Sequence, residues 1–391
     1  MKQLLKAKGI FDGKGNEFLH NKCILIENGV ILSIAGEEEY GSKNDEVEVI
    51  DMSKYYIIPG LIDCHTHLSI VPELGNQIEQ MKIPAPRNIL RSISHIKEDF
   101  RSGVTTMRVM GEENYIDFEI KRAIQDKIIH GPRILAAGKS IVASNGHGVA
   151  LTVADGPEEV RKVARKNLAM GADYLKIFVT GGISTANNSL NNSTYSLEEI
   201  KMATREAEMV DKYVAAHAHG GKGIDICIEA GVRSIEHAAL ITEEQIDKII
   251  KSDAWITITS TILFDDKGVG AKDILNEKIR DKLLYGRELA RENWIKVVNS
   301  GVNFVVGTDS MHGRMPDEII FLTKLGVSNA DAIKVATTKA SDACNLDNVG
   351  ILEKGRVADF IVLKGNPLED INELKNIKHI FKDGNLVEEF I

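Results

Sequence analysis

Pro59-Gly60-Leu61-Ile62-Asp63-Cys64-His65-Thr66-His67 joins a turn signal, a short apolar run and two histidines. Proline and glycine punctuate a chain, and the run after them reads as a buried strand. His65 and His67 stand two apart, so on extended chain their imidazoles share one face. Two neutral ring nitrogens on one face suit a single metal ion. A lone H-x-H is weak, because polar pairs also end strands for no chemical reason. Its weight comes from what the rest of the chain repeats.

Eight strand-like runs cross the middle of the chain: Ile57–Asp63, Thr105–Met110, Arg133–Ala137, Tyr174–Val179, Val214–Ala218, Ser234–Ala238, Trp255–Ser260 and Asn303–Thr308. Helical patterns such as Ser196–Lys212 and Thr242–Lys251 lie between them. Ser196 followed by Glu199 makes a capping box, and Pro157 suits a first helical turn. This alternation predicts an α/β fold, a (β/α)8 TIM barrel with its active site at the C-terminal strand ends. A doubly wound sheet is the alternative, but no GxGxxG follows the first strand, which weakens a dinucleotide-binding reading. The chain ends read as β. Asn28-Gly29 and Asp383-Gly384 each separate two apolar runs, a strong hairpin signal, and Val357–Leu363 is a further strand. A small β-sandwich domain from residues 1–56 and 350–391, around a barrel of 57–349, is therefore expected.

The unusual polar residues fall at the ends of those strands. Lys176 sits inside the apolar run Tyr174-Leu175-Lys176-Ile177-Phe178-Val179. Lysine is almost never buried without a partner. It either snorkels at a strand end or has reacted with CO2 to give a carbamate, whose two oxygens can bridge two cations. His217 and His219 end the fifth run, His237 the sixth and Asp309 the eighth. Each alone could be a core histidine or a helix cap. Five histidines, one lysine and one aspartate on strand ends 1, 4, 5, 6 and 8 form a far more specific pattern.

Composition narrows the classes. The chain has 391 residues, 43% apolar and 27% charged, and a net charge of −9. These are ordinary globular values, and an acidic chain without a dense basic stretch argues against broad nucleic-acid binding. Four cysteines (Cys23, Cys64, Cys227, Cys344) form no CxxC and read as reduced intracellular thiols. The N-terminal stretch lacks an apolar signal core, and no run of 18 apolar residues occurs. A cytoplasmic protein without a membrane span is expected.

The blocks PGLIDCHTH, DYLKIFVTGG, AAHAHG, SIEHA, VGTDS and GILEKGRVADFIVLKGNPLEDI occur in that order. In this the whole chain resembles the amidohydrolase superfamily, binuclear metal subtype with a carboxylated lysine. The KIFVTGG and HAHG…GVRSIEHA blocks resemble its prolidase-like, imidazolonepropionase-related group, which includes Xaa-Pro dipeptidases and carboxypeptidases that release Arg or Lys. The resemblance implies that His65, His67 and Asp309 hold the more buried metal and that His217 and His237 hold the second. Carboxylated Lys176 would bridge them beside a shared hydroxide, with Asp309 as general base and then acid. The interval from His217 to His237 favours His217 over His219 as ligand. His219 and His147, in Asn145-Gly146-His147-Gly148, would then face substrate, and Arg314 or His147 could anchor a substrate carboxylate. Two divalent ions are implied, zinc first, with Mn, Co or Fe compatible.

The expected activity is amide hydrolysis of a dipeptide or N-acyl amino acid by a homo-oligomer. Hydrolysis of a cyclic amide, or deamination of a small heterocycle, is the alternative; Lys176 argues against the single-metal deaminases. A scaffold without catalysis is disfavoured by the complete ligand set. Val109 is a departure, since the group commonly carries Asp after Arg108 on the second strand. The Asn-rich loop from Gly182 to Tyr195 gives no clue to specificity.

Overall fold

A computed structural model describes residues 2–40, 47–75, 77–270 and 277–387. Four strands open the chain: β1 (Lys2–Ile10), β2 (Cys23–Glu27), β3 (Val30–Ala35) and β4 (Val47–Pro59). The central strands are β5 (Leu61–Thr66), β6 (Val104–Val109), β7 (Arg133–Ala136), β8 (Ile141–Val142), β9 (Leu175–Phe178), β10 (Val214–Gly220), β11 (Ser234–Leu240), β12 (Trp255–Ile258) and β13 (Asn303–Val306). The chain ends in β14 (Phe360–Leu363), β15 (Ile377–Lys382) and β16 (Asn385–Leu386).

Both expected hairpins form. Glu27 pairs with Val30 and Lys382 with Asn385, leaving two-residue turns. Asn28 and Gly29 have φ of 51° and 82°, and Asp383 and Gly384 of 50° and 73°. A turn of this hand needs positive φ at both central positions and matches the strand twist. The two turns also touch, since a Cβ on Gly29 would lie 2.7 Å from the Asp383 carbonyl oxygen. Strands of both chain ends join in one seven-stranded sheet, order β16-β15-β14-β4-β1-β2-β3. It encloses its own core of Leu5, Ile24, Ile57, Phe360 and Phe381, with the two phenylalanine rings stacked at 4.5 Å. This is the small β-sandwich domain drawn from both termini.

The expected run Ile57–Asp63 is divided. Ile57, Ile58 and Pro59 belong to β4 and pair with β14, whereas Leu61 begins the barrel. Gly60 is the crossing point, where a Cβ would lie 2.2 Å from Thr105 Oγ1. The expected boundary between residues 56 and 57 thus falls inside β4.

The barrel is a parallel ring of the eight expected strands, in the sheets β5-β6-β7 and β13-β12-β11-β10-β9-β8. The two-residue strand β8, not anticipated, pairs with β9. Two seams close the ring. The Asp173 N–H donates to the Ala136 carbonyl at 2.8 Å while its carboxylate accepts from the Ala136 N–H at 2.7 Å. At the other seam the Asp309 N–H donates to the His65 carbonyl at 2.7 Å. The Ser196–Glu199 capping box is formed, and Thr242–Gln245 makes a second.

Helix Glu277–Asn299 packs across β11 through Trp294, which is fully buried and donates its indole N–H to the His237 carbonyl at 2.9 Å. Trp294→Ala should lower stability by about 3–5 kcal/mol, as expected for a large aromatic removed from a packed core. Trp294→Phe should cost less, because it keeps most of the volume and loses one hydrogen bond. Urea unfolding followed by far-ultraviolet circular dichroism measures both, and an unchanged midpoint in the alanine variant would contradict this packing.

Candidate metal centre and active site

The strand ends bring the sequence-predicted ligands together. One donor atom each from His65, His237 and Asp309 fits within 4.8 Å of the others. His65 Nε2 lies 3.4 Å, and His67 Nε2 4.0 Å, from Asp309 Oδ1. The His217 and His237 rings stand 4.6 Å apart, and those of His65 and His237 4.7 Å. Lys176 is fully buried on β9, its ammonium nitrogen 4.9 Å from the Phe178 ring centre and without a hydrogen-bond partner.

The donor chemistry fits cations. His65 Nδ1 donates to Glu236 Oε2 at 2.7 Å, and His67 Nδ1 to the Gly111 carbonyl at 3.1 Å, so each keeps a free lone pair on Nε2. His217 uses Nε2 toward the Gly181 carbonyl at 3.3 Å, which leaves Nδ1 free. His237 Nδ1 bonds Thr259 Oγ1 at 2.8 Å. Burial lowers the pKa of His67 to about 4 and pushes His217 and His237 further down, so all three are neutral bases. Burial also brings Lys176 down to about 8, although Glu236 and Asp309 act the other way. Burial would raise Asp309, but His65, His67 and Lys176 hold it down at about 2, so it is a carboxylate near neutral pH. Burial and Lys176 would lower the pKa of His65, but Asp309 and Glu236 raise it. A buried amine with no partner, beside His65, the neutral imidazoles of His67, His217 and His237 and an ionised Asp309, is a set that divalent ions would satisfy. His65, His67 and Asp309 would hold one, and His217 and His237 another.

Backbone strain marks the same positions. His237 and Ala238 have φ of 75° and 47°, and Asp309 and Ser310 of 48° and 72°. Left-handed conformations in residues with a Cβ cost on the order of 1 kcal/mol or more each and persist only where surroundings impose them. Gly307 permits the close approach of strands here, since a Cβ would lie 2.4 Å from the His65 nitrogen.

Sequence reasoning missed the residues behind the ligands. Glu236 joins His65 to Arg108, whose Nη2 donates to Glu236 Oε1, Ser234 Oγ and Thr257 Oγ1, each at 3.0 Å. Arg108 and Glu236 are both fully buried. Burial would raise the Glu236 pKa, but Arg108 and the His65 hydrogen bond outweigh it and hold the carboxylate well below its usual range. The signal was present in SIEH, where Ser234 and Glu236 share strand parity and both reach Arg108. Asp63 accepts from the N–H groups of His65 at 3.0 Å and Thr308 at 3.1 Å, tying the first strand to the eighth.

The proposed substrate residues are placed differently. His219 lines the cavity, and its Nδ1 is buried without a hydrogen-bond partner. His147 also lines it, held by Thr185 Oγ1 at 2.7 Å. Gly182 lies against that ring, where a Cβ would meet His147 Nε2 at 2.4 Å. Arg314 stands off the cavity lining, 3.7 Å from Asp265 and 3.5 Å from Asp317. Val109 is buried in apolar core, and its carbonyl accepts from the Tyr174 hydroxyl at 2.5 Å. Three residues on, Glu112 accepts from the N–H groups of Leu68 at 2.5 Å and Ser69 at 3.0 Å, ordering the loop after His67.

The Glu236 bridge yields a test. Glu236→Gln removes the charge that orients His65 and should weaken metal affinity about 10–100-fold, the usual effect of losing such a carboxylate. Competition with a chromophoric chelator reads it, and unchanged affinity in a folded variant would contradict the role.

Comparison with known proteins agrees with this geometry. Residues 56–387 match the amidohydrolase family. A Xaa-Pro dipeptidase solved with methionine in its active site is similar over 100% of both chains, at 30% identity and a TM-score of 0.91. Ochratoxinase of Aspergillus niger is 27% identical over 98% of this chain and 86% of its own. Its crystal structure superimposes with a TM-score of 0.88 at 25% identity, over 98% of this chain and 95% of that one. Imidazolonepropionase of Picrophilus torridus is 23% identical over 95% of this chain and 91% of its own. With its candidate metal ligands gathered at the C-terminal ends of a (β/α)8 barrel, the chain belongs to the amidohydrolase family and is a hydrolase of carbon–nitrogen bonds.

Proposed function

We propose that the chain is a two-metal amide hydrolase acting on a dipeptide or N-acyl amino acid with a free carboxylate. The observation that carries this reading is Lys176, fully buried and unpartnered, whose charge acts on His65, His67, His217, His237 and Asp309. At a pKa of about 8 part of its amine is free base near neutral pH. That lone pair attacks the carbon of CO2, and nitrogen releases a proton to solvent, which leaves an anionic carbamate. The relatives support the substrate class by their names: a Xaa-Pro dipeptidase and ochratoxinase.

When bound, the divalent ions would acidify water and polarise the amide carbonyl. Zinc suits the ligand set, and the four buried thiols suit a reducing cytoplasm. The chain's own groups do the rest. Asp309 Oδ1 lies beside both His65 and His67, where it accepts the proton of the attacking water and returns it to the leaving nitrogen. Without that return, amide nitrogen is a poor leaving group. Glu236 holds His65 in one tautomer, and Thr259 bonds His237. His219 Nδ1 and His147 are the neutral donors that face substrate. A second reading, opening of a cyclic amide, rests on the likeness to imidazolonepropionase; the same groups would serve it.

Lys176→Ala should lose most bound metal together with activity, and formate or acetate should restore part of both by filling the place of the carbamate. Full metal content in that variant would contradict the bridging role. Asp309→Asn should reduce kcat about 100–10,000-fold, the range for a general acid–base. His219→Asn should spare metal content and change kcat/KM, measured on metal-loaded protein. The substrate class is tested by dipeptides, N-acyl amino acids and cyclic imides at equal metal loading; hydrolysis of cyclic amides alone would move the assignment to the second reading.

A further inference from the structure

The walls of the cavity differ in kind from its floor. The floor carries the histidines and Asp309, whereas the walls are built on three apolar pairs, with Gln77, Ser140, Ser184 and Thr259 as uncharged polar residues among them. Ile70 and Met81 come from the segment after β5, Phe178 and Ile183 from the end of β9 and its loop, and Leu263 and Val269 from the segment after β12. Among the described residues no lysine or arginine lines this cavity. The lining carboxylate apart from Asp309 is Glu113. It is already engaged by the N–H groups of Leu151 at 3.2 Å and Thr152 at 2.9 Å, the Thr152 hydroxyl at 3.1 Å and Lys139 at 3.5 Å.

These walls are held in place. Gln80 accepts from the Val71 N–H at 2.9 Å and donates to the Val71 and Gly75 carbonyls at 3.0 Å, which ties Val71 and Gly75 to the helix that carries Met81. Lys282 donates to the Thr185 carbonyl at 2.6 Å and also bonds the Asn188 carbonyl, strapping the Asn-rich loop to helix Glu277–Asn299. Gly286 of that helix lets it close on Ile183, since a Cβ would stand 2.9 Å from Ile183 Cδ1. The Val269 N–H donates to the Ile262 carbonyl at 3.0 Å, and Arg287 bonds the Leu263 carbonyl, so the third wall is a tied turn. Lys282 and Arg287, which brace the second and third walls, are therefore spent on loop carbonyls.

From this we infer that the substrate carries a large apolar side chain, of the size of leucine, methionine or phenylalanine, beside the scissile amide, and that charged side chains are rejected. The inference rests on the proposed amide hydrolysis and narrows it, and it differs from the release of Arg or Lys that the resemblance allows. The reason is desolvation. A lysine or aspartate side chain entering between these three apolar pairs would lose its water and meet no opposite charge, whereas an apolar one gains by burial.

The experiment measures kcat/KM of metal-loaded full-length protein on a dipeptide panel. Leu-Leu, Met-Met and Phe-Phe are compared with partners in which either residue is replaced by Lys, Arg, Asp or Glu. The apolar dipeptides should exceed every charged one by at least about thirtyfold, a ratio within the reach of pocket discrimination. A second arm uses Val269→Glu, at a half-buried position of the third wall, with circular dichroism confirming that the variant is folded. It should shift the ratio of Lys-containing to apolar substrates upward by at least about tenfold, by supplying the missing counter-charge. Charged dipeptides cleaved as well as the apolar ones would overturn this inference and leave the amide hydrolase standing. Cleavage of no linear amide at all would overturn both readings together.

Discussion

The cost of burying an amine governs this molecule. Lys176 has no exposure and no hydrogen-bond partner, and it stands among imidazoles that burial keeps neutral. Isolated charges are not left in such surroundings; they are paired, neutralised or bound to ions. The neighbours are arranged for that. Two carboxylates, Glu236 and Asp309, remain ionised in the same interior, one against Arg108 and one facing His65 and His67. Each histidine nitrogen that bonds the protein frees its other nitrogen for the cavity. The site is thus a set of donors held apart by the chain and short of positive charge.

The fold supplies the rigidity that holds them there. The candidate ligands sit where parallel strands end, and left-handed backbone at His237 and Asp309 turns the chain at those ends. Behind the loops lie carboxylates that cap N–H groups. Asp117 takes the Gly138 N–H at 2.8 Å, and Glu318 takes those of Ser260 at 2.8 Å and Thr261 at 2.6 Å. Burial raises Asp117 and Glu318 toward about 7 even though these bonds oppose it. Their position shows how strongly each loop is tied to the barrel rather than left to solvent. Farther out, the N- and C-terminal hairpins meet turn against turn at Gly29 and Gly384, joining both chain ends in one sheet.

Much of this was legible in the sequence because it follows from local chemistry. Asn28-Gly29 and Asp383-Gly384 permit few conformations, and the structure adopts the expected ones. Polar residues in or at the ends of apolar runs marked His65, His67, Lys176, His217, His237 and Asp309 as candidates, and the fold draws donor atoms of His65, His237 and Asp309 within 4.8 Å of one another. The division of Ile57–Asp63 was not legible, because it depends on β14 arriving from more than 300 residues later to claim Ile57 to Pro59. The Arg108–Glu236–His65 bridge joins the second, sixth and first strands of the barrel; the parity of Ser234 and Glu236 hints at a shared partner, but nothing along one strand says that the partner is Arg108 or that His65 lies on the other side. Arg314 looked available as a cation in the sequence, yet it lies beside Asp265 and Asp317.

The central claim is that Lys176 carries a carbamate between two cations. Carbon-13 NMR of metal-loaded protein equilibrated with labelled bicarbonate tests it most directly. The account predicts one carbamate resonance that is absent when Lys176 is replaced and that disappears when metal is removed by a chelator at mildly acidic pH. A fully loaded, active protein with no carbamate signal would contradict it.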